Sequence, residues 1–364
     1  MEKASKQILI VGGDPGVDWK KVFAGARVEV TQVQYEQMTM VSYSDGTGCV
    51  VTVPGQSSSL RPDIALIRGA ARGAYGCDNR SVLLCLAFGG VRCVNSSESL
   101  ERCSEKPLVH AVLQTIRKRL GHERFPLIDQ AMFANWKAMT FADGFPVVAK
   151  VGTCHAGLGK MKVESLQQFH DLRSVLALQH TYVTTEPFVD WDYDWRLQKI
   201  GPHVRGFRRT SDCWKGAGLA SRDEDAAVTD VQRVWLDEVS AALGMDILSI
   251  DGVHGKDGRD WIIEVNDSAV GLNSRWLDDD LQHIRDLVLS KLELPPPSSS
   301  PSSSSTRGDV SRVDDPTSIA LEHARAEITQ LRQRIEQLEK QQQQQQQQQQ
   351  SASGQSVLSR LFKK

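Results

Sequence analysis

Three stretches of this sequence have residue types at spacings that could bind a phosphorylated ligand and a cation. The first is IDGVHGKDGRDWIIEVN, Ile250 to Asn266, where two alternating apolar-polar runs flank the turn-rich HGKDG. If Lys256 and Asp257 are the two loop residues of a hairpin, Gly255 pairs with Gly258 and Asp251 lies opposite Ile262. Alternate residues share a face, so Leu248, Ile250, Trp261, Ile263 and Val265 form an apolar face, and Ser249, Asp251, Ile262, Glu264 and Asn266 form the other. Asp251 and Glu264 are then diagonal neighbours, ~7 to 8 Å apart at the backbone. With no Lys or Arg on that face, the two carboxylates repel unless a cation neutralises them. Oxygen ligands of this kind suit Mg²⁺ or Ca²⁺, completed by nucleotide phosphates. A solvated outer face is the competing reading.

The second stretch is VVAKVGTCHAGLGKMKV, Val147 to Val163. Gly157, Gly159 and Gly152 let the backbone approach a phosphate, and Lys150 and Lys160 flank the loop with positive charge. The pattern departs from G-x-x-x-x-G-K-[ST], and a strand rather than a helix follows it, so it reads as a phosphate lid or as an ordinary flexible hairpin. The third is TTEPFVDWDYDWRLQKIG. A strand ending at Glu186-Pro187-Phe188-Val189 loses one donor at Pro187 and offers an edge for an adenine, while Asp194 and Arg196 alternate onto one face of the next strand. Arg208 and Arg209, in GFRRTS, supply fixed charge for a γ-phosphate or a developing oxyanion. An exposed kinase site at RRTS is the other possibility, disfavoured inside a strand.

The elements that must position these residues form two patterns. In residues 1–105, QILIV reads as a strand, GGDPG as a turn and VDWKKVFAG as a helix with Asp18 at its start. Strands at VEVTQVQ, CVVTV and DIALIR and a helix at RSVLLCLAFGG complete a parallel α/β sheet. Gly12, Gly13 and Gly16 miss the dinucleotide fingerprint G-x-G-x-x-G. Residues 106–294 mix helices (KPLVHAVLQTIRKRLG, LQQFHDLRSVLALQ, VTDVQRVWLDEVSAALG, LDDDLQHIRDLVLSKLEL) with strands at FPLID, FPVVAKVG, KMKVE, TYVTTEPFV and WRLQKIG, an α+β pattern. Residues 295–315 are a Pro/Ser-rich disordered linker. In 316–340, Leu321, Ala324, Ile328, Leu331, Ile335 and Leu338 form a short coiled-coil seam that gains stability from a partner helix. Residues 341–364 are polyglutamine and a low-complexity tail, whose VLSRLFKK either touches an anionic membrane or frays.

Composition sets the remaining bounds. The 364 residues carry 43 basic and 45 acidic side chains, a net charge of -2 that gives no general reason to expect nucleic acid. Seven cysteines without a C-x-x-C pair favour a reducing compartment over a disulfide or zinc framework. The start MEKASKQILIVGGDPG lacks the apolar core of a signal peptide, and no run approaches the ~20 apolar residues of a membrane span. A soluble, cytoplasmic protein is the expectation.

Taken in order, a lysine before the strands (Lys106), a lysine on a strand, a glycine lid with its own lysine, a hinge glutamate, an arginine, then Asp251 and Glu264 with E-x-N resemble the ATP-grasp fold. The stretches RPDIALIR, NSSESLERCSEKP, FPLIDQ, FPVVAKVGTCHAGLGKMKVES, TTEPFVDWDYDWRLQKIG and DGVHGKDGRDWIIEV are similar to the central domain of the synapsins, from about Ile8 to Leu292. The resemblance implies a Rossmann-like pre-ATP-grasp domain (1–105) and an ATP-grasp domain (106–294). It implies that Lys106 and Lys150 contact phosphate and that Lys160 closes the lid. Glu186 and Val189 would hold adenine, with Gly157, Gly159 and Asp194 completing the ATP set. Asp251 and Glu264 would bind the metal. Synapsins are acidic at the position of Asp251 where ATP binding needs calcium and have lysine there in other forms, so an acid predicts cation-assisted binding. Two departures stand out: Asn266 is ligase-like, supplying the E-x-N that holds a second metal, and SDCWKGAG (211–218) is short, which unsettles contacts near Arg209. The phosphorylated N-terminal segment of animal synapsins is not matched, so regulation through it is not expected.

Two functions follow. One is a synapsin-like ATP-binding module, homo-oligomeric and peripheral on secretory or synaptic-type vesicles, acting in vesicle clustering or neurotransmitter secretion. The other is an ATP-dependent carboxylate-amine ligase in which Arg209 stabilises an acyl phosphate and Asp251, Glu264 and Asn266 hold the metals.

Overall fold

A computed structural model describes residues 5–14, 16–56, 58–73, 77–140, 142, 144–155, 157–211, 214–215 and 222–295. Apart from Pro295, the expected linker, coiled-coil seam and polyglutamine tail lie outside the described residues, as does most of SDCWKGAG. The described residues all belong to one compact unit.

The unit begins with β1 (Lys6–Val11), α1 (Trp19–Val22), β2 (Val28–Val33), β3 (Thr39–Tyr43), β4 (Gly48–Thr52), β5 (Ile64–Ile67), α2 (Arg80–Phe88), β6 (Arg92–Val94) and α3 (Ser97–Cys103). Strands β2-β1-β5-β6 form a parallel sheet. Ile8 to Val11 and Ile64 to Ile67 are fully buried, which is why these strands read as apolar runs without alternation: both faces are covered. The strand at CVVTV is β4. It does not join this sheet but pairs antiparallel with β3, whose alternation was not recognised in the sequence. Asp18 caps α1, its carboxylate accepting from the amides of Lys20 and Lys21. The glycine turn after β1 serves packing: a Cβ on Gly12 would lie 2.6 Å from the Gly69 nitrogen. Asp14 in the same turn holds the Arg68 guanidinium at 2.8 and 2.9 Å.

The second part comprises α4 (Lys106–Leu120), β7 (Ala131–Phe133), β8 (Val147–Val151), β9 (Lys160–Val163), α5 (Leu166–Leu176), β10 (Val183–Pro187), β11 (Trp191–Ile200), β12 (His203–Thr210), β13 (Arg222–Ala226), α6 (Asp230–Leu243), β14 (Ile247–Gly255), β15 (Asp260–Asn266) and α7 (Leu277–Lys291). Two antiparallel sheets result, β7-β10-β8-β9 and β13-β12-β11-β14-β15. FPLID makes only an isolated bridge, Leu127 to Ile262. The small sheet packs on α5 through Ala149, Val163, Phe169, Leu176 and Val183. The large one buries Trp195, Leu197, Leu248, Ile250, Ile262 and Val265 against Val109 and Leu113 of α4 and Trp235, Leu236 and Val239 of α6. Each fully buried aliphatic side chain contributes ~1.5–3 kcal/mol. Helix α7 joins Ile284 and Val288 to Ile8, Ile10 and Ile247, so the parallel sheet and the large sheet share a core. Buried Asn95 strengthens that joint: its Oδ1 accepts from the amides of Asp246 and Ile247 at 2.8 Å.

The β14–β15 hairpin differs from the expected register. Gly255 N donates to Arg259 O at 2.8 Å, so the loop has three residues, the third being Gly258 at φ +79. Gly252 therefore pairs with Ile262, and a bulge next to it brings Asp251 directly opposite Glu264 rather than diagonal to it. Each one-residue shift exchanges faces, and two of them restore Glu264 and Asn266 to the side of Asp251. Ile262 is core, fully buried, whereas Trp261 is half-buried and Ile263 lines the cleft described below.

Candidate functional site

A cleft of about 580 Å³ opens between the two antiparallel sheets. Lys150, Gly157, Lys160, Glu186, Val189, Asp194, Arg209, Asp251, Glu264 and Asn266 all line it. Lys106 lies instead in an adjoining cavity of about 80 Å³, where it meets Asn266 from the other side. Gly159 sits at the base of the lid, its carbonyl accepting from Val151 N at 2.9 Å.

The small sheet supplies the lid and hinge. Lys150 on β8 faces Glu186 and Thr184 on neighbouring β10. Its ammonium donates to Glu186 Oε2 at 2.7 Å, with the side chains only 8% and 5% exposed. Gln130 Nε2 donates to the same oxygen at 2.8 Å. Glu186 therefore holds Lys150 in place, a role its sequence position did not reveal. Between β8 and β9 the chain turns through Gly152, Gly157 and Gly159, all at positive φ. His155 in this loop is hydrogen-bonded through Nε2 to Arg72 O at 2.9 Å, tying the lid to the first part of the molecule. After the hinge, Phe188 N donates to Pro146 O at 3.0 Å, and the Phe188 ring meets those of Trp191 and Trp214 edge-on. These three aromatics form the apolar wall of the cleft.

The large sheet supplies the charges. In register, Arg196 on β11 stands beside Asp251 on β14, which stands beside Glu264 on β15; one step along, Asp194 stands beside Arg209 on β12. The expected absence of a balancing cation is thereby corrected. Arg196 Nε and Nη2 donate to the two oxygens of Asp251 at 2.7 and 2.8 Å, a bidentate pair contributed by the strand that flanks the hairpin. Lys160 Nζ approaches Glu264 at 3.7 Å. Lys106 Nζ donates to Asn266 Oδ1 at 2.9 Å and to Val265 O at 3.0 Å, and Asn266 Nδ2 donates to Asp251 Oδ2 at 2.9 Å. Arg209 faces the cleft but is paired with Asp223 at 2.8 Å. Arg208 does not join it: it is exposed, with its guanidinium 4.7 Å above the Tyr193 ring, because adjacent strand residues point to opposite faces.

Electrostatics follow from these neighbours. Burial alone would raise the Glu264 carboxyl, but Lys106, Lys160, Lys150 and Arg196 outweigh it and hold the group well below the usual carboxylate range. Glu264 in turn raises the Lys160 ammonium against the opposing effect of burial. Asp194 behaves oppositely. Burial pushes its carboxyl up to about 6, Arg209 opposing and Asp251 reinforcing. Among the described residues no cluster of three or more His, Cys, Asp or Glu is arranged to hold a metal; the oxygen set here is two carboxylates and an amide, with Asp194 one step away. The six cysteines within the described residues are free thiols.

A family model described as the synapsin ATP-binding domain matches residues 95–294, and one described as the synapsin pre-ATP-grasp domain matches residues 2–93. A synapsin of Drosophila melanogaster is 34% identical over 304 residues, covering 78% of this chain and 30% of that protein. The chain thus spans less than a third of that relative's length. Among solved structures, the ATP-grasp ligase PsnB with a minimal precursor superposes with a TM-score of 0.58 at 18% identity, covering 79% of this chain and 99% of that one. PsnB with a phosphomimetic precursor variant, Mg and ADP gives 0.57 at 17%, covering 79% and 99%. D-alanyl-alanine synthetase A from Vibrio cholerae gives 0.58 at 12%, covering 80% and 99%. These structures show that the fold is ATP-grasp, a mixed α/β architecture behind a pre-ATP-grasp unit.

Proposed function

The chain is a member of the synapsin family, and from that premise we propose that the cleft between its two antiparallel sheets binds ATP together with a divalent cation. One observation carries the reading: beneath a glycine lid, Lys150 and Lys160 converge with Asp251, Glu264 and Asn266 in one cleft of about 580 Å³, within the ~300–1,000 Å³ common for ligand sites. The donor chemistry fits. Oxygen atoms of Asp251, Glu264 and Asn266 suit Mg²⁺ or Ca²⁺, and the unpaired carboxylate of Asp194, with no hydrogen bond among the described residues, leaves a polar partner for the ligand. Lys106, Lys150 and Lys160 would meet the phosphates, with Gly157 and Gly159 giving the lid its close approach. Glu186 and Val189 would flank the adenine, Val189 through a backbone amide that has no partner among the described residues. The cation, when bound, would neutralise charge between the carboxylates and the phosphates.

In this reading residues 1–105 and 106–294 are the two functional domains, and ATP sets the conformation and oligomeric state of a cytoplasmic protein peripheral on secretory or synaptic-type vesicles. The expected seam at residues 316–340 would bring copies together, supporting vesicle clustering or neurotransmitter secretion. The test is co-sedimentation of the full chain with anionic and neutral vesicles, with and without ATP; no binding to either under any condition refutes the vesicle role. A carboxylate-amine ligase is the second reading, favoured by the 80 Å³ cavity that continues the cleft past Asn266. There Arg209 would stabilise an acyl phosphate. Phosphate release that no pool of amino acids or small peptides stimulates, and that Asp251→Asn leaves unchanged, refutes it.

A further inference from the structure

The ligand atoms of the cation site already have cationic or N–H partners. Asp251 Oδ1 accepts from Arg196 Nε at 2.7 Å, and Asp251 Oδ2 accepts from Arg196 Nη2 at 2.8 Å and from Asn266 Nδ2 at 2.9 Å. Ser249 Oγ adds a longer contact to Oδ1 at 3.3 Å. Asn266 Oδ1, the amide's only metal-ligating atom, accepts from Lys106 Nζ at 2.9 Å. Glu264 is the loosest of the three, with Lys160 at 3.7 Å. Arg196 cannot retreat to water without cost: its side chain is 22% exposed, and its Nη1 also donates to Gly271 O at 3.5 Å.

We infer that Arg196 is a resident counter-cation that competes with the divalent metal for Asp251, so that the metal enters only with the nucleotide. The inference rests on the ATP-and-cation reading above and names what regulates it. Formal charges make the case. Asp194, Asp251 and Glu264 supply three negative charges, and Arg196, Lys160 and Lys106 supply three positive ones, leaving no net attraction for a free dication. The polyphosphate of ATP tips that balance. It offers new anionic partners to the displaced guanidinium and to the lysines, and it supplies oxygens to the metal. By linkage, the metal must raise ATP affinity by the same factor as ATP raises metal affinity. Removing the charge of Arg196 uncouples the two, because Asp251 is then open to the metal in the absence of nucleotide.

The test uses Mn²⁺ as the probe, with bound and free ion distinguished by electron paramagnetic resonance of the full chain without nucleotide. Arg196→Met is expected to bind Mn²⁺ at least about ten-fold more tightly than the parent, because a unit charge within contact distance of a dication carries that much weight even at a protein-surface dielectric. Arg196→Lys, which keeps the charge and loses the fork, is expected to stay close to the parent. Equal or weaker Mn²⁺ binding by a folded Arg196→Met overturns the proposal. If that variant does not fold, the Nε resonance of Arg196 in the parent decides. It is expected to shift with ATP plus Mg²⁺ and to remain with ATP in EDTA; a resonance unmoved by bound Mg²⁺-ATP overturns the proposal. Failure of the underlying reading looks different, because ATP would then bind the parent equally well with and without any cation.

Discussion

The Lys150–Glu186 pair is the most exacting test of how the cleft is built. Its nitrogen and oxygen lie 2.7 Å apart with side chains 8% and 5% exposed, and Gln130 fills a further acceptor site. Breaking a buried pair by removing one partner leaves an uncompensated buried charge and typically costs about 3–5 kcal/mol, whereas removing both charges together costs far less. Glu186→Gln and Lys150→Met should therefore each lower stability by about 3–5 kcal/mol, and the double variant should recover most of that loss, a coupling of at least ~2 kcal/mol in a double-mutant cycle. At roughly 2–4 °C per kcal/mol for a unit of this size, calorimetric melting of the single variants should fall by about 10 °C. ATP separates structural from ligand-binding roles. A ligand at a hundred times its Kd stabilises by ~2.7 kcal/mol, an increment the parent should show and Lys150→Met should lack. Additive single-variant losses, or an undiminished ATP increment in folded Lys150→Met, would refute the reasoning.

Two further predictions concern the large sheet. The Asp194 carboxyl is raised from 3.8 to about 6, so the folded state binds its proton more tightly than the unfolded state. The resulting penalty is absent below about pH 3.8, grows as pH rises through that interval and is complete above about 6. Asp194→Asn should thus stabilise the ligand-free protein at pH 7.5 by up to roughly 3 kcal/mol, with little effect near pH 4, while weakening ATP binding; equal effects at both pH values in thermal melts would contradict this. The hairpin register predicts that Ile262→Ala, at a fully buried core position, costs about 2–5 kcal/mol, and that Ile263→Ala costs much less while perturbing the cleft. Chemical denaturation of the two variants gives the comparison, and the reverse order would restore the simple two-residue loop.

Much of this was legible in the sequence because it is local. Asp18 caps α1, Gly244 ends α6 in the left-handed conformation at φ 68, and apolar runs without alternation identify the buried strands β1 and β5. The lid glycines and flanking lysines lie within a single hairpin, so their grouping needs no tertiary information. What the sequence did not reveal is non-local or a matter of one residue. The partner of Asp251 is Arg196, separated by 55 positions and brought alongside only when β11 pairs with β14. Alternation had placed Arg196 with Asp194, but no rule of spacing says which strand will lie next to the hairpin. The loop length and the bulge each move the register by a single residue, below what composition can resolve. Short or weakly patterned elements, such as β6, β7 and α3, left little periodicity to read.

The central claim is that ATP and a divalent cation share this cleft through Glu264. Titration calorimetry of ATP into the full chain with Mg²⁺, with Ca²⁺ or with EDTA, repeated on Glu264→Gln, tests it most directly. The account predicts that ATP binds the parent substantially more tightly with a cation than in EDTA, and that Glu264→Gln abolishes the difference. ATP affinity independent of any cation, or a cation effect that survives Glu264→Gln, would contradict it.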